Sequence, residues 1–549
     1  MRIFKFSISM KVIFLLSCSV FFFLPSHAQI QDSLREKVDA IFEEYKSPNT
    51  PGCSIALVKD GKVIYEKGYG MSNLEYGIPI TPTSIFHVAS ISKQFTAAAI
   101  IMLSLEGKLS LNEDIRKYLP EVPDFGHVIT FNHLIHHTSG MRDQWDLQEL
   151  AGWRDDDLIT EDDVLEMLHR QVALNFVPGS EYYYCNTSYT ILGVAVKRIT
   201  GVSLREYSDS VFFKPLGMMN THFHSDHSEV TPNRTSAYQQ DDQGNWKISI
   251  PVFDNYGATS LFTTVEDLSK WDENFYSKSI GGPAFISAML ENGILNNGTK
   301  QAYAGGISTE IYKGFKTEQH SGADAGYRSN FIRFPDQHFS VILLANHAES
   351  QVMLLSQKVA DLFLEIKTNE VPDAIFPIDS SIVKGWVGNY IDALTKRRVE
   401  VNFKNGKLIL GSTKLLPFSN SEFSVPGSST KLSFSKELGV EKFCVTNPNL
   451  INRNYERVVE VDLKSSEFLE FIGEYYSPEL DTKYTVTAND SLLFVKIPRK
   501  NKLEFFPFAK DEFSGNFFIQ FSRGKRKKVE GFYLTTGRVR NLYFEKLTK

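Results

Sequence analysis

Cysteine is scarce in this chain, which has 549 residues and four Cys, spaced too widely for a disulfide framework. CxxC and HExxH spacings are missing, so the sequence predicts neither a metal site nor a cofactor. Lys and Arg form no cluster dense enough to follow a phosphate backbone, and the net charge is −6, which argues against a nucleic-acid partner. We expect a small molecule or a peptide as the ligand, and stability from hydrophobic cores.

The first 28 residues have the features of a cleavable signal peptide. Three basic residues within the first 11 positions precede a short apolar run from Val12 to Leu24, and Ser26-His27-Ala28 has the small-x-small pattern of a cleavage site. We predict cleavage after Ala28, export to the periplasm or out of the cell, and no membrane span in the mature chain. A retained anchor is one alternative. Lipid attachment at Cys18 is another, disfavoured because the apolar run continues past it.

Residues 29–366 are predicted to form one domain of mixed helices and strands. The patterns predict a β-hairpin turning at Asp60-Gly61 and a helix over Thr96–Leu105 that is buried on every side and ends at Gly107. They also predict a helix opened by the capping-box pattern Thr263-Thr264-Val265-Glu266-Asp267. Near the end of this region they predict paired strands at Gly326–Arg333 and Phe339–Ala345 and a closing helix at Ser356–Ile366. The fold class is therefore α/β (α+β), with an antiparallel sheet flanked by helices.

Almost every later pattern is typical of β structure. A linker is predicted over residues 367–383, followed by two all-β, barrel-like units at 384–464 and 465–549. The sequence Trp386-Val-Gly-Asn-Tyr390 is similar to Phe471-Ile-Gly-Glu-Tyr475, and Leu415-Leu-Pro-Phe418 to Phe505-Phe-Pro-Phe508. Repeats of this size suit small antiparallel barrels or sandwiches, with chance similarity as the alternative.

Ser90-Ile91-Ser92-Lys93 is the first candidate for chemistry. Positions i and i+3 share a helix face, so the lysine can reach back to the serine hydroxyl. In a dry pocket a lysine can lose its proton and act as a base. The pattern is weak alone, because the same spacing also occurs at four places that open no buried helix, namely Ser381, Ser428, Ser433 and Ser522.

Two further segments carry candidate side chains. In Tyr184-Cys185-Asn186, a tyrosine beside a lysine can have a lowered pKa and exchange protons with a serine, while the amide orients the lysine and a substrate carbonyl. In His320-Ser321-Gly322-Ala323, glycine lets a substrate backbone approach the strand edge. Taken alone, Tyr184 fits an ordinary aromatic residue of a turn equally well, and His320 fits a structural histidine.

Together these segments resemble the penicillin-recognising serine hydrolases, which include class C β-lactamases, D-alanyl-D-alanine carboxypeptidases, D-aminopeptidases and related esterases. The resemblance runs from about Ser54 to Ala345. Supporting phrases are His87-Val88-Ala89-Ser90, Gly107-Lys108-Leu109-Ser110-Leu111, His136-His137-Thr138-Ser139-Gly140, Pro178-Gly179 and Glu266-Asp267-Leu268. It implies a β-lactamase-like domain with Ser90 as nucleophile and Lys93 and Tyr184 as the proton-handling pair.

The resemblance also implies the remaining roles. The backbone N–H groups of Ser90 and Ala323 would form the oxyanion hole, and Asn186 would contact the substrate amide. His320, Ser321 and Gly322 would line the substrate site, with His320 as a candidate proton relay. Where this chain has His320, class C β-lactamases and many transpeptidases carry a lysine that pairs with a β-lactam carboxylate. An imidazole is mostly neutral above its usual pKa of about 6.5, so the substitution disfavours efficient β-lactam hydrolysis.

Three functions follow as hypotheses. The first is an exported serine hydrolase that works through a Ser90 acyl-enzyme on a small ester or a D-amino-acid peptide or amide. The second is a β-lactamase. The third is a non-catalytic sensor that binds penicillin or peptidoglycan, against which stands the complete set of nucleophile, base and orienting side chains. For the C-terminal β units we weigh a stabilising role against one in which a unit leans over the pocket and limits substrate size.

Overall fold

The computed structural model describes residues 31–548, apart from residues 365–375, 395, 397, 412, 426–429, 448–449, 459–460, 462 and 464. The predicted signal peptide, residues 1–28, and the first part of the predicted linker lie outside the described residues. Among the described residues no helix has the length and apolar character needed to cross a membrane.

A six-stranded antiparallel sheet forms the centre of the N-terminal region. Its strands are β1 (Cys53–Lys59), β2 (Lys62–Tyr69), β10 (Ser308–Tyr312), β11 (Phe315–Asp324), β12 (Tyr327–Phe334) and β13 (Phe339–Ala345), in the order β10-β11-β12-β13-β1-β2. The predicted pairing of the last two segments is confirmed, with Phe331 opposite Ile342. The predicted hairpin turn is also present, where Asp60 and Gly61 take φ values of 50° and 72°.

Helices cover both faces of this sheet. They are α1 (Asp32–Ile41), α2 (Ser92–Leu105), α3 (Phe131–Ile135), α4 (Gln144–Ala151), α5 (Glu161–His169), α6 (Asn186–Thr200), α7 (Leu204–Ser208), α8 (Lys214–Leu216), α9 (Val265–Ser277), α10 (Gly282–Met289) and α11 (Val352–Phe363). Alternate residues of β1 point to opposite sides: Ala56 joins the core around α2, whereas Ile55 and Leu57 join the core with α1 and α11. The expected mixed fold with an antiparallel sheet is confirmed.

Several helix ends differ from their predicted positions. The apolar helix begins at Ser92, four residues before the predicted Thr96, and the closing helix begins at Val352 and ends at Phe363. At the start of α9, Thr264 accepts from the backbone of Asp267 as predicted, but the Asp267 carboxylate instead binds the Asn220 backbone and the Thr221 hydroxyl. The remaining short strands are β3 (Met71–Asn73), β4 (Ile78–Pro79), β5 (Phe86–His87), β6 (His222–Phe223), β7 (Tyr238–Gln240), β8 (Trp246–Ile248) and β9 (Leu261–Thr263).

The C-terminal region contains two all-β units, as predicted. The first has α12 (Ser380–Lys384) and a nine-stranded sheet: β14 (Gly388–Asp392), β15 (Arg398–Lys404), β16 (Lys407–Leu410), β17 (Thr413–Lys414), β18 (Leu416–Pro417), β19 (Glu422–Ser424), β20 (Lys431–Glu437), β21 (Val440–Asn447) and β22 (Leu450–Arg457). The second has α13 (Ser465–Phe468) and a closed barrel: β23 (Gly473–Ser477), β24 (Thr482–Ala488), β25 (Leu493–Lys496), β26 (Lys502–Ala509), β27 (Glu512–Ser514), β28 (Phe518–Arg523), β29 (Val529–Thr535) and β30 (Leu542–Lys546).

The repeated phrases occupy equivalent places in the two units. The Tyr390 hydroxyl donates to the Trp386 carbonyl at 2.9 Å, and the Tyr475 hydroxyl donates to the Phe471 carbonyl at 2.7 Å. Each repeated proline pairs with a phenylalanine of the next strand, Pro417 with Phe423 and Pro507 with Phe513. Shared hydrogen bonds and strand register favour duplication of one β unit over chance similarity.

The closed barrel packs against the N-terminal domain through helices α4 and α5. Leu147, Leu150 and Met167 belong to the barrel's hydrophobic core. The Tyr484 hydroxyl of the barrel donates to the Leu150 carbonyl at 2.6 Å. Beside them, Arg142 and Glu479 form an ion pair in which both side chains are at most 3% exposed. The barrel and α4 therefore share one core.

Removing the Glu479 carboxylate is expected to destabilise the chain strongly. Glu479→Ala leaves a buried Arg142 guanidinium unpaired, which costs about 3 to 5 kcal/mol. The matched control is Asp157→Ala, which breaks the exposed barrel contact between Asp157 and Arg499 and costs under about 1 kcal/mol. Denaturant unfolding of both variants measures the difference, and equal effects would contradict the shared-core arrangement.

Candidate active site

The predicted site residues meet in one cleft of about 1450 Å³. Ser90, Tyr184, Asn186, His320, Ser321, Gly322 and Ala323 all line it. Lys93 lies directly beneath the floor and is fully buried. The sheet supplies the wall formed by β11, whereas the ends of α2 and α6 supply the opposite side. Three segments that are far apart in the chain thus converge, as the sequence predicted.

Ser90 sits in a 3-10 turn, Ala89–Ile91, immediately before α2. Ala89 has φ of 47°, a left-handed conformation that a non-glycine residue rarely adopts without support from its surroundings. Ser92 gives that support, because its hydroxyl donates to the Ala89 carbonyl and accepts from the Leu261 backbone at 3.0 Å. The turn is thereby tied to β9 and directs Ser90 into the cleft.

The Lys93 amine contacts three oxygen atoms. Its Nζ lies 2.8 Å from Asn186 Oδ1, 2.7 Å from the Ala258 carbonyl and 3.2 Å from Ser90 Oγ. A neutral amine has two N–H groups and one lone pair. The two shorter contacts are to oxygens that can only accept, so they use both N–H groups and leave the lone pair facing the Ser90 hydroxyl.

Burial lowers the pKa of Lys93 to about 7, with Arg538 and nearby carboxylates as smaller influences. Desolvation disfavours the charged ammonium, and the carboxylates of Asp143 and Asp324 act in the opposite direction. Asp324 is itself buried, which raises its pKa to about 6. The amine is therefore neutral in a large fraction of molecules near neutral pH.

Tyr184 behaves differently from the expectation. Burial raises the pKa of its phenol well above the usual value, and the nearby Ser90 hydroxyl opposes this only partly. The ring packs 4.9 Å from Lys93 Nζ and 4.2 Å from the His137 ring. Within the described part of the chain its hydroxyl makes no hydrogen bond. The predicted lowered pKa is wrong, because desolvation of the buried phenol outweighs the opposing influences of the Ser90 hydroxyl and Arg538.

His320 is a neutral imidazole with both nitrogens occupied. Its Nδ1 lies 2.6 Å from the Ser321 carbonyl, which can only accept, so Nδ1 carries the proton and Nε2 accepts from Tyr303 at 2.9 Å. Burial lowers the pKa of His320 to about 3. The sequence suggested a proton relay through this residue. In the structure it is an uncharged side chain in the wall of the cleft, and the relay stays a prediction.

Gly322 allows close packing between β11 and the turn that carries Ser90. A Cβ atom at this position would lie 2.4 Å from the Val88 carbonyl and 2.4 Å from Ser329 Oγ. Because Val88 leads into the turn, any side chain here would push Ser90 and β11 apart. Ser321 and Ala323 flank this contact on the same strand.

Sequence reasoning missed several residues of the site. Asp143 accepts from the Asn186 backbone at 2.6 Å and from its side-chain amide at 2.9 Å, which fixes the amide that holds Lys93. The Asn186 amide is thus turned toward Lys93 and Asp143, and its predicted contact with substrate stays a prediction. Tyr303 and Arg538 also line the cleft. Nothing in local spacing marks these residues, since each acts through a contact distant in the chain.

Among the residues that the structure describes, two groups of side chains have ligand atoms close enough to hold a metal ion. One is His222, His224 and Glu229, and the other is Asp226, His227 and Asp254. Glu229 is already paired with Arg205 through both carboxylate oxygens. Neither group lines the Ser90 cleft, so neither touches the site described above.

Comparison with known families agrees with this geometry. The β-lactamase family model matches residues 38–362, which is more than half of the chain. The chain belongs to the β-lactamase family. It is accordingly a serine hydrolase, and the matched region contains every predicted site residue.

This β-lactamase family member is similar to proteins named as penicillin-binding proteins and as D-aminopeptidases. Penicillin-binding protein 4* of Bacillus subtilis is 24% identical over 441 residues, covering 74% of this chain and 95% of that protein. A D-aminopeptidase of Gluconobacter oxydans is 26% identical, covering 56% and 58%. The octameric penicillin-binding protein homologue from Pyrococcus abyssi has the same fold, with a TM-score of 0.56, 23% identity and coverage of 77% and 99%.

Gly322→Ala is expected to reduce kcat/KM by about 100-fold, because a displacement of the reacting groups near 1 Å has an effect of that size. Gly193→Ala is the matched control. Gly193 lies within α6, and its new Cβ would meet Leu204 Cδ2 of α7 at 3.4 Å, an ordinary contact. Steady-state hydrolysis of an ester by both variants, with thermal unfolding alongside, provides the measurement. Full activity of Gly322→Ala would contradict the packing argument.

Proposed function

We propose that the chain is an exported serine hydrolase that forms an acyl-enzyme on Ser90 and acts on a small ester or a D-amino-acid peptide or amide. The observation that carries this proposal is the Lys93 amine, 3.2 Å from Ser90 Oγ at the base of an open cleft. The proposal of export is based on the signal-like N terminus. Cleavage after Ala28 would release the mature chain into the periplasm or the medium.

Acylation begins with transfer of the Ser90 hydroxyl proton to the Lys93 lone pair. Ser90 Oγ attacks the substrate carbonyl carbon, a C–O bond forms, and the π electron pair moves to the carbonyl oxygen. When this tetrahedral species collapses, the bond to the leaving amine or alkoxide breaks, and the leaving group takes a proton from the Lys93–Tyr184 pair. Water then attacks the Ser90 ester by the same route in reverse and releases the acid.

Lys93 is the better candidate for the base. Its pKa is lowered to about 7, near the value that makes a general base efficient at neutral pH. The Tyr184 phenol has a raised pKa and stays protonated. We assign it a relay role: it donates its proton to the leaving group while the proton that Lys93 took from Ser90 passes to the phenol oxygen, so that Lys93 and Tyr184 both end uncharged. Its buried hydroxyl makes no hydrogen bond in the described structure, which leaves it available for this exchange.

The backbone N–H groups of Ser90 and Ala323 are the proposed oxyanion hole. Ser90 lies at the start of a helical segment and Ala323 on strand β11, and both residues line the cleft. Preorganised donors of this kind contribute about 3 kcal/mol each in acyl-transfer enzymes. Their partial charges would stabilise the oxyanion that forms when Ser90 attacks.

The charges of the cleft favour an amine-bearing or neutral substrate over an anionic one. Six carboxylates line it, against four fixed cations. The carboxylates are Asp146, Glu149, Asp155, Asp156, Glu310 and Asp324, and the cations are Arg154, Arg328, Lys500 and Arg538. An apolar wall that includes the stacked rings of Trp145 and Phe253, 4.9 Å apart, adds room for a hydrophobic side chain. A D-amino-acid amide carries both an ammonium and a side chain.

A β-lactam fits this cleft less well. Its carboxylate needs a cation at the position of His320, and burial lowers the pKa of that imidazole to about 3. The side chain is therefore uncharged at any physiological pH. D-Aminopeptidase names among the relatives point in the same direction as the charge argument.

Intact-mass spectrometry across esters, D-alanyl amides and penicillins tests the proposal. We expect an acyl adduct on the wild type with esters and D-amino-acid amides, weak or slow adducts with penicillins, and none on Ser90→Ala. A fluorophosphonate probe gives the matched control, since it labels any activated serine without regard to substrate fit. Labelling retained in Ser90→Ala would move the nucleophile elsewhere, and rapid nitrocefin turnover would favour a β-lactamase instead.

A further inference from the structure

We infer that Arg538, a residue of the C-terminal barrel, is a positioning residue for the Ser90 site and acts on Lys93 through Asp143 and Asn186. The inference rests on the function proposed above and goes beyond it, because it makes the barrel part of the active site. Arg538 lies in the loop between β29 and β30, far along the chain from the nucleophile.

A continuous chain of polar contacts joins the barrel to the lysine. Lys93 Nζ lies 2.8 Å from Asn186 Oδ1, and the Asn186 side-chain amide donates to Asp143 Oδ2 at 2.9 Å. The same Asp143 oxygen accepts from the Asn186 backbone at 2.6 Å and lies 3.2 Å from Arg538 Nη1. One carboxylate oxygen is thus shared between the amide that orients Lys93 and a guanidinium from the barrel.

Arg538 is itself held rigidly. Its Nε and Nη2 donate to Asp146 Oδ1 at 3.0 Å and 2.8 Å, and its backbone N–H donates to Asp146 Oδ2 at 2.7 Å. Its carbonyl accepts from Asn175 Nδ2 at 3.0 Å. Asp143 and Asp146 lie at the start of α4, three residues apart, so the guanidinium spans two carboxylates of one helix turn.

The burial of Asp143 explains why its contact with Arg538 matters for Lys93. Its side chain is fully buried, and an unopposed carboxylate there would stabilise the Lys93 ammonium. Arg538 supplies the opposing charge: Asp143 raises the pKa of Lys93, whereas Arg538 lowers it. The barrel therefore helps to keep the lysine neutral, as a base must be.

Other groups around Lys93 do not replace Arg538 in this role. Those that face the amine are the Tyr189 ring on α6, the Tyr184 ring and Cys185 just before that helix, His137, and His320 and Asp324 on β11. Burial keeps both imidazoles uncharged, with the pKa of each lowered. None of these described neighbours carries a fixed positive charge, so Arg538 is the group that supplies one.

The test is the pH dependence of kcat/KM for an ester substrate in the full chain. Arg538→Met is expected to move the acid limb of the profile upward by about 1 pH unit. Activity at pH 7 then falls several-fold and recovers at pH 9. Asp143→Asn keeps the helix cap and removes the charge that Arg538 opposes, so its limb is expected to move downward. Arg538→Lys should restore much of the wild-type profile.

Arg499→Met is the matched control, since Arg499 also joins the barrel to the N-terminal domain through an ion pair, with Asp157, away from Lys93. Its profile should coincide with that of the wild type. The inference would be overturned if the acid limb stayed in place in both Arg538→Met and Asp143→Asn. Activity would then be lowered equally at every pH, or only KM would be raised. If Arg538→Met fails to fold, the Asp143→Asn profile alone decides. A wild type without a Ser90 adduct would instead refute the proposed function.

Discussion

Withdrawal of the Lys93 amine from water is the constraint on which the rest of the site depends. A lysine in solution is an ammonium at neutral pH, and only burial makes its lone pair available to a serine hydroxyl. The fully buried side chain is held by Asn186 and the Ala258 carbonyl, so the amine cannot turn away from Ser90. The surrounding core, the capped helix α4 and the shared carboxylate of Asp143 all maintain that environment.

The same requirement explains why the C-terminal barrel shares a core with α4. Asp143 caps α4 and also fixes Asn186, so any movement of the helix would loosen the amide that holds Lys93. Packing Leu147 and Leu150 into the barrel anchors that helix on its outer side. Two repeated β units follow the hydrolase domain, and the second one is in contact with the catalytic cleft through Arg538.

Local patterns in the sequence were sufficient to predict much of the fold and of the site. The Ser90-x-x-Lys93 spacing, the hairpin at Asp60-Gly61 and the repeated Gly-x-Tyr phrases each depend on residues near one another in the chain. The direction of the Tyr184 pKa, the tautomer of His320 and the partners Tyr303 and Asp143 depend on burial and on contacts between distant segments. No local sequence pattern pointed to Arg538, because its role depends on the packing of the barrel against the N-terminal domain.

The most direct measurement is the rate of Ser90 acylation in the wild type as a function of pH from 5 to 9. With a Lys93 pKa of about 7, a neutral lysine base predicts a rate that falls about tenfold per pH unit below neutrality and levels off above it. The sign follows because protonation removes the lone pair. A rate independent of pH across this range, or one that still rises steeply at pH 9, would contradict a neutral lysine as the base.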